Sequence, residues 1–166
     1  MARRPVVGVM GAGDDASETD MRLAERLGQL VASEGWALLT GGRNAGVMQA
    51  ASRGAKQIDG SLVIGVLPSE KDGVSPHVDV AIFTGLGNAR NAINVLSSQV
   101  VVAVGVGGAG TASEASLALK AKRPLILLAP SAQAEAFFRS LGGVLFVADL
   151  AEEVRDIIKS QRLLDG

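Results

Sequence analysis

The chain has 166 residues, a length suited to a single domain, and 48% of them are hydrophobic, enough to bury a substantial core. It has no cysteine and one histidine, His77, which excludes disulfides, thiolate nucleophiles, cysteine-based metal centres and multi-histidine metal sites, so no protein-bound metal is expected. A net charge of −1 supplies no field for nucleic acid, and 3% aromatic residues make no stacking platform for single strands.

Apolar runs alternate with helical patterns from the start. Arg3-Arg4-Pro5 leads into a short apolar run ending in Gly11-Ala12-Gly13-Asp14-Asp15, which reads as a first strand over 5–10 and not as a signal peptide. No run approaches the ~18–20 apolar residues of a membrane span, so no membrane contact and a cytoplasmic location are expected. A helix is predicted over about 18–33, with Met21, Leu23, Ala24, Leu27, Leu30 and Val31 on one broad face, and Gly35 ends it.

A second strand over 36–40 runs into the glycine loop 41–46, and a short helix follows over 47–56. The third strand covers 61–67. A polar loop over 68–76 turns at Lys71-Asp72-Gly73 and leads to an extended piece over 78–84, shorter and nearer an edge. His77 in this stretch reads as incidental. A helix over 88–97 precedes a strand over 99–105.

A glycine-rich loop follows, then a helix from Gly110 to Lys122-Arg123. The strand over 124–129 has Pro124 at its first position, where proline is tolerated. A helix over 132–140, a strand over 144–147 and a final helix from Asp149 complete the chain. Glu152 and Glu153 early and Lys159 and Arg162 late suit that helix's dipole.

Most strands are solidly apolar, so both sheet faces must be covered. The fold class is α/β: a Rossmann-like, doubly wound, mostly parallel sheet with helices on both faces, forming one domain over 1–166.

Strand, glycine loop and helix in succession aim free backbone N–H groups at an anion. Gly105, Gly107 and Gly110 satisfy G-x-G-x-x-G, a weak signal alone, and no lysine follows Gly110 as a Walker A loop requires. Density argues for a ligand. Gly105, Gly107, Gly108 and Gly110 exceed what a turn needs, and each costs about 0.5–1 kcal/mol of ordering entropy. Thr111 and Ser113 are hydroxyl donors or caps for the helix.

Gly11 to Gly13 and Gly41-Gly42 follow other strand ends. Parallel strands bring the three loops to one edge, where a phosphorylated small molecule would bind. Arg43 is either a solvated loop residue or a ligand contact. Arg90 stands in an asparagine-rich stretch with Asn88, Asn91 and Asn94, poor helix formers that suggest polar contacts. Glu114 either complements the helix dipole or acts on a sugar, base or water. Met10 and Met48 suit the core or the wall of a flat ring.

The stretch 107–114 reads G-G-x-G-T-x-x-E and resembles the Lonely Guy (LOG), lysine decarboxylase-like superfamily. Its enzymes are cytokinin riboside 5′-monophosphate phosphoribohydrolases with the motif P-G-G-x-G-T-x-x-E. Residues 41–48 are similar to that family's G-G-G-x-x-G-L-M, and Arg90 falls on the arginine of H-x-R-K. The resemblance implies Arg90 and Glu114 as the catalytic pair if the chain is a hydrolase. Val106 replaces the motif proline, Arg43 the third glycine, and Asn88 and Asn91 the flanking histidine and lysine.

These departures look more like the branch of the molybdenum cofactor carrier proteins. That likeness implies the molybdenum cofactor as bound ligand, a pterin phosphate held without known turnover, in a homodimer or homotetramer. The implied contacts are Gly11, Gly13, Gly41, Gly42, Arg43, Asn88, Arg90, Gly107, Gly108, Gly110, Thr111 and Glu114.

Overall fold

The apolar runs become strands because both their faces are buried, and β-branched and leucine side chains fill the layer on each side. A computed structural model describes residues 3–165; residues 1, 2 and 166 of the expected domain lie outside them. The strands are β1 (Val6–Met10), β2 (Ala37–Thr40), β3 (Leu62–Leu67), β4 (Val80–Phe83), β5 (Val100–Val104), β6 (Leu125–Leu128) and β7 (Leu145–Ala148). The helices are α1 (Glu18–Ser33), α2 (Gly46–Ala55), α3 (Asn91–Leu96), α4 (Ala109–Lys120), α5 (Ala132–Ser140) and α6 (Ala151–Ser160).

The sheet has the order β4-β3-β2-β1-β5-β6-β7, and every pairing is parallel. The chain winds outward from β1 to β4, returns to lay β5 on the other side of β1, and winds outward again. The β1/β5 boundary is therefore the topological switch point. Side chains of β5 alternate between faces, as the two-residue period of a strand requires. Val100, Val102 and Val104 join α1, α2 and α6, while Val101 and Ala103 join α3, α4 and α5. All of β4 is exposed, as an edge position allows.

Two glycines set the spacing on the first face. A Cβ at Gly28 of α1 would collide with the carbonyl oxygen of Ala51, and one at Gly54 of α2 with that of Glu25. The two backbones touch, which seats Ala24, Leu27, Ala51 and Ala55 in the core. Gly28→Ala should cost about 1–3 kcal/mol by overpacking. Thermal melting should fall by several degrees, at about 2–4 °C per kcal/mol for a domain of this size. An unchanged midpoint would show that the helices separate freely.

Two differences from expectation bear on the site. The predicted helix over 88–97 is a 3-10 turn over Gly87–Arg90 followed by the short α3. Asparagines favour local turns over helix interior, and Gly87 opens the turn with φ +53°. Helix α4 starts at Ala109, before Gly110, with Gly108 as N-cap and no side-chain cap. Thr111 and Ser113 therefore sit inside the helix and cap nothing.

Candidate ligand site

The loops after β1 and β5 diverge at the switch point and leave a cavity of about 430 Å³. Gly11 and Gly13 line it from the loop after β1. Gly41 and Arg43 line it from the loop after β2, and Asn88 and Arg90 from the 3-10 turn. Gly107, Gly108, Gly110, Thr111 and Glu114 line it from the β5–α4 segment. Met10 and Met48, both buried, also form part of its wall.

Gly42 departs from the sequence reading and is not among the lining residues. It holds φ +74°, packs its backbone against Gly65 and Leu67, and donates its N–H to Thr40 Oγ1 at 3.0 Å. Its glycine serves a close packing of strand ends. His77 lines no part of the cavity; its N–H donates to Ser75 Oγ at 3.2 Å.

The N-terminal turn of α4 opens on the cavity. The first N–H groups of a helix have no partner within it, so this turn offers donors along the axis. The space over Gly108 and Gly110 is empty to 4 Å. Val106 holds φ +22°, a sparsely populated conformation for an L residue. Proline, fixed near −65°, could not adopt it. This loop cannot take the P-G-G form without rebuilding.

Arg90 is fixed by backbone. Its Nη1 donates to the carbonyl of Gly41 at 2.7 Å and to that of Val66. Burial lowers its pKa, and the Glu114 carboxylate opposes that effect. Arg43 is held more loosely, 3.3 Å from the exposed Asp14. Glu114 is buried, and Asn94 Nδ2 donates to its Oε1 at 2.9 Å. Burial raises the Glu114 pKa, and the Asn94 hydrogen bond and Arg90 only partly offset this.

A carboxyl whose folded pKa is raised favours folding while protonated, so stability is full below the ordinary glutamate pKa of 4.5 and falls as pH rises through the folded value. Glu114→Gln keeps the neutral shape. It should therefore gain melting temperature over the wild type as pH rises from 4 to 7, with the difference closing toward pH 4. A constant difference across that range would place the ionisation of Glu114 outside the folding balance.

Several residues in or behind the wall were not assigned to the site from sequence. Asp15 from the loop after β1, and Ser17 and Asp20 from the start of α1, make one end of the cavity acidic. Ser17 is also the N-cap of α1, its side chain accepting the N–H of Asp20. Asn94 lies behind Glu114, fully buried, with no partner for its Oδ1. Asn91 ties α3 to α4 through Ser113 Oγ at 3.3 Å. Among the described residues, no group of three or more His, Cys, Asp and Glu side chains is placed to hold a metal, and no helix is long and apolar enough to cross a membrane.

A wholly parallel, doubly wound sheet with a cavity at its switch point places the protein in the Rossmann-like α/β class. A family model described as the SLOG cluster4 family matches residues 4–154, and the chain belongs to that family. It is similar in structure to the molybdenum cofactor binding protein of Rippkaea orientalis, with TM-score 0.93, 51% identity, and 98% of this chain and 99% of that one covered. The molybdenum cofactor carrier protein of Chlamydomonas reinhardtii follows at TM-score 0.89 and 48% identity, covering 99% of this chain and 100% of that one. A protein of Archaeoglobus fulgidus is 44% identical over 124 residues, 75% of this chain and 80% of its own length.

Proposed function

We propose that this protein is a carrier that binds the molybdenum cofactor as cargo through its pterin phosphate. The observation that carries this reading is near-complete coverage, at about half identity, of two proteins described as binding or carrying that cofactor. The cavity has the chemistry the cargo requires. Backbone N–H groups from Gly107 to Thr111 would take the phosphate, with Arg90 and Arg43 balancing its charge. Asn88 would hydrogen-bond the ligand, and Met10 and Met48 would face its flat ring.

The test is to purify the protein from a cofactor-producing host and identify what it holds by mass spectrometry and molybdenum content. A pterin phosphate with molybdenum is expected. Protein with neither, from a host whose molybdoenzymes are loaded, would overturn the reading.

One observation favours the hydrolase as a second reading. Arg90 and Glu114 face the same cavity, and a buried Glu114 with a raised pKa suits a general acid.

Self-association belongs to the proposal. The candidate faces are the helices around 92–96 and 115–119; in the second, Ala115 and Ala118 are fully buried within this chain's own core, while Leu117 and Leu119 are half-buried. Leu96 on α3 and, separately, Val80, Ile82 and Phe83 on β4 are exposed apolar side chains that a second copy would cover. Light scattering should give a dimer or tetramer, and a monomer at micromolar concentration would remove this part. A cytoplasmic carrier fits the same reading.

A further inference from the structure

The polar loop after β3 is tied down. Asn44 N donates to Gly73 O at 2.9 Å, and Arg43 and Val74 form an antiparallel bridge. Gly87 N donates to Pro68 O at 3.3 Å, which joins the loops after β3 and β4. Between them lies a second chamber of about 460 Å³, bounded by Pro68, Ser69, Asp72, Gly85 and Gly87. Arg43, Asn88 and Arg90 line both chambers, so the two form one trench.

Size argues for a second occupant. The trench runs from the loop after β5 to the loop after β4, four strand spacings, or roughly 19 Å at about 4.8 Å each. The first chamber alone already falls within the range of about 300–1,000 Å³ that encloses a small ligand. A single ring with its phosphate leaves the second chamber over.

Charge argues for what fills it. Arg43 and Arg90, which balance the phosphate on the α4 N–H groups, stand where the chambers join and carry two positive charges, enough for a diphosphate. Past them the polarity reverses. The Asp72 carboxylate, accepting from Ser69 Oγ at 2.7 Å, repels a further anion and suits hydroxyl and N–H donors. Anion at the junction and neutral donors beyond describe a diphosphate followed by a nucleoside.

We propose that the second chamber takes the nucleoside of a dinucleotide-type ligand whose diphosphate lies against Arg43 and Arg90. This rests on the reading that the first chamber holds a ring and its phosphate. Guanosine monophosphate carries the same amino-oxo-pyrimidine edge as a pterin and probes the first chamber alone. Diguanosine diphosphate, two guanosines joined through their 5′ positions, probes both.

Calorimetry on the whole protein should find the dinucleotide about tenfold or more tighter, because its second half binds at high effective concentration. Ser69→Trp, outside the first chamber, should fill the second, erase that advantage and leave the monophosphate affinity as it was. Asp72→Ala should weaken the dinucleotide alone. Equal affinity of the two nucleotides for the wild type would overturn the proposal. So would a Ser69→Trp variant of unchanged melting midpoint that loses both ligands, since the chambers would then not be separate. If neither nucleotide binds, the proposal also falls, and the cofactor reading stands or falls separately on the co-purified pterin and molybdenum.

Discussion

Gly108→Val should abolish binding of a phosphorylated ligand and leave the fold of the apo protein largely intact. Gly108 has φ −130° and ψ 160°, an extended conformation that valine accepts without strain. Nothing lies within 4 Å of where its Cβ would stand, so the folded chain has room for the side chain. That room is the space above the first turn of α4, where the phosphate is proposed to sit. Losing two hydrogen bonds to a charged group, each worth about 1.5–3 kcal/mol, should cut affinity by about 10²–10⁴. Calorimetry with guanosine monophosphate reads the loss, and a melting curve of the apo variant reads the fold. Unchanged affinity would remove this turn from the site.

Adenosine monophosphate should be hydrolysed very slowly or not at all. A hydrolase must stabilise charge that develops only in the transition state. Arg90 and Glu114 share the cavity, but Arg90 already spends Nη1 on two carbonyls, and neutral Asn88 and Asn91 stand where the resembled enzymes have histidine and lysine. Asn91 is turned to Ser113. Losing one such electrostatic contact typically costs about 10²–10³ in rate. The assay is release of free adenine, run beside Glu114→Gln. Robust turnover that the variant loses would replace the carrier reading with the phosphoribohydrolase. No turnover, with cofactor binding intact in Glu114→Gln, would leave this carboxylate a positioning role through Asn94.

The sequence alone determined the element order and the parallel α/β class. A solidly apolar run such as 100–104 is a strand buried on both faces wherever it sits, and the glycine loops after β1, β2 and β5 are visible as local clusters of residues. Parallel strands necessarily bring those loops to one edge, which groups Gly11, Gly41 and Gly108 from sequence alone. Arg90 and Glu114 were legible through a resemblance of short motifs.

The tertiary structure alone decided which neighbours those residues meet. Pairing β1 with β5 places the switch point and so the cavity, and no local pattern states which strands pair. Asn94 behind Glu114 is one more asparagine in a polar stretch until α3 packs on α4. Gly28 and Gly54 look like weak points of their helices and are instead the contact that lets α1 and α2 touch. Gly42 looked like a ligand contact and is a packing glycine. The loop over 68–76 reads only as a polar loop in the sequence, and the bridge from Val74 to Arg43 makes it a wall. Hydrophobic period and turn chemistry act over a few residues and are written locally. Burial, ion pairing and cavity shape depend on chain segments far apart in sequence, and only the folded packing brings those together.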